Sequence, residues 1–132
     1  MIDSLRTGMT GERSVLVSDE HTATRWGSGG LAVLATPFMV ALMEGAAVDA
    51  VDPLLPPGYC TVGSRVNVQH LAATAVGRSV HARAELVEID GRRLVFRVEA
   101  SDDAGIIGEG SHERFIVDLD RSMRKATARG KA

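Results

Sequence analysis

Thr36-Pro37-Phe38-Met39-Val40-Ala41-Leu42-Met43-Glu44-Gly45-Ala46-Ala47-Val48-Asp49-Ala50-Val51 is the stretch on which the fold turns. A hydroxyl followed by proline reads as a helix start: the hydroxyl can cap free N–H groups, and proline at the first helical position gives up a donor that has no partner there. Phe38, Met39, Leu42, Met43, Ala46, Ala47 and Ala50 recur at helical spacings, predicting a helix over 37–51 that Asp52-Pro53 and Pro56-Pro57-Gly58 end. No charge separates Arg25 from Glu44, so Glu44 stands alone inside an apolar run. Burying an unpaired carboxylate is costly, and the charge therefore calls for a partner. Thr36 and His70 are candidates, and a structural ion pair with an arginine is the competing explanation.

Outward from this helix the period changes to two. Residues 12–18 have the β-branched enrichment of a first strand, and 21–26 extend it or pair with it after a turn at Asp19-Glu20. Beyond the helix, 59–70 and 80–89 read as strands, and Asp90-Gly91 is a hairpin signal leading into 92–100. A second turn at 102–105 leads into a last strand over 106–119, where Gly108 and Gly110 predict a bulge or a close approach of backbone. Residues 1–120 form one domain, and the basic tail 121–132 is a solvated end. One apolar helix with an antiparallel meander makes an α+β two-layer domain. So little polar face on the helix requires cover on more than one side, from a strongly curved sheet or from a second subunit.

A chain of 132 residues with 15 basic and 17 acidic side chains carries a net charge of −2, which offers no field to gather nucleic acid or an anionic membrane. The uncharged run 26–43 is broken by Gly27, Ser28, Gly29, Gly30 and Pro37, so it is a loop followed by a buried helix rather than a membrane span. Cys60 is the single cysteine; with no disulfide to form and no signal pattern over 1–12, a cytoplasmic location is expected. The four histidines lack the close spacings of a zinc site, so no metal is expected, and no glycine-rich phosphate loop or nucleophile elbow occurs.

Thr36, Glu44 and His70 supply a hydroxyl, a carboxylate and an imidazole, the groups that activate water or form an acyl intermediate. Thr36 and Glu44 are about 12 Å apart along the helix, so only a bound substrate can bridge them. His21 and His81 read as solvated residues, and His112 as a strand-pairing residue.

Ala35-Thr36-Pro37-Phe38-Met39-Val40-Ala41-Leu42-Met43-Glu44, Thr61-Val62-Gly63, His70-Leu71-Ala72-Ala73-Thr74 and Gly110-Ser111-His112-Glu113-Arg114, in that order, resemble the hotdog-fold thioesterases related to fluoroacetyl-CoA thioesterase. The resemblance implies an antiparallel sheet wrapped around one long central helix. It also implies a homodimer, with higher assemblies left open, and acyl-CoA bound at the subunit interface. The reaction it implies is hydrolysis of a small acyl-CoA thioester to a carboxylate and free coenzyme A, with coenzyme A entering only as part of the substrate and no cofactor required. The family's catalytic threonine, glutamate and histidine fall on Thr36, Glu44 and His70, and Gly63 and Arg114 fall on positions lining the substrate pocket. The resemblance implies that Glu44 either attacks the thioester carbonyl or orients water, while Thr36 and His70 position the substrate and move protons. Two other functions remain open: a non-catalytic acyl-CoA or small-ligand binding module, and a hotdog dehydratase or hydratase. In the latter the histidine usually precedes the helix, whereas here it follows. The chain departs from the family before the helix, where Trp26-Gly27-Ser28-Gly29-Gly30-Leu31-Ala32-Val33-Leu34 replaces a longer lid containing phenylalanine, so fluoroacetyl specificity does not follow.

Overall fold

The elements run β1 (Thr10–Leu16), α1 (Ala23–Trp26), α2 (Thr36–Val51), β2 (Tyr59–His70), β3 (Ser79–Asp90), β4 (Arg93–Asp102), β5 (Gly105–Asp118) and α3 (Leu119–Ala128) in the computed structural model, which describes residues 3–130. The five strands form one antiparallel sheet in the order β1-β3-β4-β5-β2, curled about α2. Alternation decides which side faces the helix: Val80, Ala82, Ala84 and Leu86 on β3, and Leu94, Phe96, Val98 and Ala100 on β4, are wholly buried. They meet Met39, Leu42, Met43, Ala46, Ala47, Ala50 and Val51 of α2 in one core.

Small residues let the layers close. A Cβ on Gly11 of β1 would collide with the backbone of Ala46 and Ala50, so the strand rests directly on the helix. Gly45 leaves room for the Arg13 side chain, which crosses the helix to grip both carboxylate oxygens of Asp49 at 2.9 and 3.0 Å. Gly110 faces the Asn67 carbonyl, and Gly108 accommodates the Met39 thioether. The extra residue expected near these glycines is present, because the β4–β5 register slips between Ala100 and Ser101.

Three local expectations change. Residues 21–26 are not strand: a 3₁₀ turn over Asp19–His21 leads into α1. There His21 Nδ1 accepts from the Ser18 N–H at 3.0 Å, the Thr22 hydroxyl donates to the Asp19 carbonyl at 2.7 Å, and Gly27 (φ 70°) ends the turn of helix. Such side-chain bonds to local backbone compete with a strand ladder. Thr36 is the first helical residue rather than the cap, which is Ala35, and its hydroxyl is used elsewhere. The basic end is helical from Leu119, started by Asp118 accepting from the Arg121 N–H at 2.9 Å, and none of its residues is buried.

Toward β5 and β2 the helix-facing side of the sheet changes character. Aliphatic residues give way to Thr61, His112 and Arg114, all buried, together with Gly63, Val66, Val68 and His70. β2 is an edge strand, and its Val62 and Val66 are exposed.

Candidate active site

Helix α2 presents Thr36 at its start, where the end of β2 brings His70 alongside. The Thr36 hydroxyl and His70 Nδ1 are 2.7 Å apart. His70 Nε2 is buried without a hydrogen-bond partner among the described residues. Burial pushes the imidazole pKa below its ordinary value, and the Ala72 backbone offsets part of that effect. His70 is thus a neutral base in contact with a hydroxyl. The pair borders a cavity of about 320 Å³ lined also by Gly29, Gly30, Leu31, Leu34 and Ala72. The helix start supplies one further donor. The N–H groups of Phe38 and Met39 both donate to the Ala35 carbonyl at 3.0 Å and Pro37 has none, leaving the Thr36 N–H unpaired among the described residues.

Glu44 lies two turns further along and keeps different company. Its Oε2 is 3.9 Å from Arg114 Nη1, and its side chain remains 41% exposed. A Cβ on Gly63 would stand 2.9 Å from Glu44 Oε2 and 3.3 Å from both Arg114 Nη1 and His112 Cε1, so the missing side chain leaves a space where these groups converge. Arg114 is only 6% exposed and is fixed from behind. Its Nε donates to the Thr61 hydroxyl at 2.8 Å and Nη2 to the Thr61 carbonyl at 2.9 Å, while Nη1 lies 3.1 Å from His112 Nε2. The Thr61 hydroxyl in turn donates to Asp52 Oδ1 at 2.6 Å, tying the network to the residue that caps the C-terminus of α2. Burial lowers the Arg114 pKa, opposed by the charges of Asp52 and Glu44.

The five residues singled out in the sequence therefore form two groups within the chain: Thr36 with His70, and Glu44 with Gly63 and Arg114. No hydrogen bond or ion pair joins the groups among the described residues. The arginine that competed for Glu44 is Arg114, at a distance longer than a hydrogen bond. His112 escaped the sequence reading because strand alternation says only that it faces the helix side. Its signal was the parity it shares with Arg114, two residues on along the same strand.

A sequence profile of the family described as fluoroacetyl-CoA-specific thioesterase matches residues 17–120. The chain belongs to that family. This thioesterase is 46% identical over 93 residues to the fluoroacetyl-CoA thioesterase of Streptantibioticus cattleyicolor, spanning 70% of this chain and 67% of that one. A solved structure of the fluoroacetyl-CoA thioesterase superposes with a TM-score of 0.90 at 36% identity, covering 96% of this chain and 98% of the other. A hot-dog-like protein from Thermanaerovibrio acidaminovorans gives a TM-score of 0.87 at 28% identity, covering 96% and 93%. The enzyme is a thioester hydrolase with the hotdog fold, a curled five-stranded antiparallel sheet around one long helix.

Proposed function

We propose that this thioesterase hydrolyses a small acyl-CoA thioester, releasing a carboxylate and free coenzyme A, at a site that two copies of the chain build together. The observation that carries this reading is the Glu44 carboxylate: it accepts no hydrogen bond among the described residues, and its Arg114 neighbour stands 3.9 Å away. It is a carboxylate that its surroundings leave free to take a proton. In the reaction, water loses a proton to Glu44 and adds to the thioester carbonyl. The Thr36 N–H, at the positive end of α2, donates to the resulting oxyanion. Collapse expels the thiolate, and the proton that Glu44 took from water passes to it by way of the Thr36–His70 pair, so that every group ends as it began. Gly63 leaves space for the acyl group, Arg114 orients it, and the apolar cavity beside His70 accepts the arm that carries it. No cofactor or metal enters these steps. Coenzyme A is needed only as part of the substrate.

Edge strand β2 supports a homodimer. It offers an unpaired ladder with exposed Val62 and Val66 on it, and such an edge favours pairing with another chain. Antiparallel β2–β2 pairing centred on Asn67 would, with Ser64 as the extra residue of the bulge, set the partner's His70 opposite Gly63, uniting the two groups of residues. A cytoplasmic location is in keeping with the free thiol of Cys60. No helix among the described residues is long and apolar enough to cross a membrane.

Thiol release from a panel of acetyl-, fluoroacetyl-, propionyl- and longer acyl-CoAs tests the reading. Turnover of a short member, reduced about 100-fold or more in Glu44→Gln, is the expected result. A full rate in that variant removes the catalytic assignment. Thermal protection by acyl-CoA without any turnover would mark the chain as a binding module.

A further inference from the structure

The residue that nothing above puts to use is His112, 1% exposed and wedged between strand β2 and Arg114. Its Nδ1 lies 2.8 Å from the Arg65 carbonyl oxygen and its Nε2 3.1 Å from Arg114 Nη1. A carbonyl can only accept and a guanidinium can only donate, so the two partners permit one protonation state: neutral, with the proton on Nδ1 and the lone pair of Nε2 receiving the arginine N–H. The Arg65 carbonyl belongs to the bulge where the β2–β5 register slips between Gly63 and Arg65. His112 therefore links the irregular backbone beside Gly63 to the direction in which Arg114 points.

We propose that His112 is a positioning residue that engages Arg114 Nη1 and keeps it from pairing with Glu44, so that the carboxylate stays free to act as a base. Nη1 has two neighbours able to receive its protons, His112 Nε2 at 3.1 Å and Glu44 Oε2 at 3.9 Å. Remove the first acceptor, and Nη1 pairs with the second, forming a charge-assisted bond that stabilises the ionised carboxylate and weakens it as a base. Thr61 anchors Nε and Nη2 and so fixes the planar guanidinium, and it is the partly exposed Glu44 side chain that swings in to Nη1. The charged groups facing His112 are Arg114 and Glu113 from β5 and Glu44 from α2, while Phe96 of β4 covers its ring with centroids 6.3 Å apart. Burial lowers the His112 pKa, and the Arg114 charge adds to this, which keeps the ring in the neutral form that the geometry requires.

The inference rests on Glu44 being the catalytic base, and its test separates the two. In the intact protein at neutral pH, ¹⁵N NMR of the imidazole should show a protonated Nδ1 and an unprotonated Nε2. An Nε2–H tautomer or an imidazolium overturns the proposal. His112→Gln, whose amide can both donate to the Arg65 carbonyl and accept from Arg114, should keep kcat within about threefold. His112→Leu should lose about tenfold or more in kcat with KM changed less than threefold, because the bond lost is charge-assisted and acts on the base rather than on substrate affinity. Wild-type kcat in folded His112→Leu refutes the positioning role, as does an equal loss in the Gln variant. If Glu44→Gln is itself fully active, the underlying catalytic reading fails instead.

Discussion

Gly63 shows how one missing side chain can serve a site. It takes no left-handed backbone conformation, so alanine would fit its φ and ψ; what alanine lacks is room, with its Cβ 2.9 Å from Glu44 Oε2. The obstruction is the end of a flexible side chain, so the fold should tolerate Gly63→Ala with a small change in Tm. The carboxylate should be displaced by a fraction of an ångström to an ångström, and misplacement of that size lowers rates on the order of 100-fold. Steady-state kinetics beside a melting curve would check this, and loss of activity matched by loss of fold would contradict it. At this scale the sequence told only part of the story. Glu44 was legible because a charge in an apolar helix is conspicuous, and Thr36 and His70 because their chemistry is. The bond between them was not legible, since nothing local says that residues 34 apart in sequence meet at 2.7 Å. His112 was passed over because burial in a strand looks the same for a packing residue and for a hydrogen-bonded link.

Among the elements, α2 and the strands that face it follow from periodicity, and strand β2 falls where alternation and its flanking turns predict, at 59–70. The segment before α2 did not follow, because its serine, threonine and histidine side chains bond to neighbouring backbone and make turns where composition alone permits a strand. Two glycines at the β1–α2 contact make opposite predictions. Gly11→Ala would force backbone apart, and should lower stability by about 1–3 kcal/mol, read as a fall in Tm. Gly45→Ala would push aside only the Arg13 side chain. The lost Arg13–Asp49 bridge is half exposed and worth at most about 1 kcal/mol, which the gain in helix propensity of about 1 kcal/mol offsets. Its Tm should therefore barely move, and a large fall would mean that the bridge carries more than its exposure allows.

For the molecule as a whole, pH enters through two histidines held neutral by burial. His70 and His112 both have pKa values below the ordinary value of about 6.5, so the unfolded chain binds more protons than the folded one in the window beneath it. Stability should be full above pH of about 6.5 and fall as pH drops through the lowered pKa values. Asp49 and Asp102, held down chiefly by hydrogen bonds from Arg13 and Thr74, act only at more acidic pH. Melting curves between neutral and mildly acidic pH would show the fall, and His112→Gln should reduce it. A flat profile would contradict the burial of these rings.

In the proposed dimer, the Thr36–His70 pair of one chain and the Glu44 group of another make one active site. Mixing two inactive variants, Glu44→Gln and His70→Ala, and letting subunits exchange tests it most directly. Random pairing gives half mixed dimers, each with one intact site of two, so about a quarter of the wild-type rate of thiol release should return. A mixture that stays as inactive as either variant alone would contradict it.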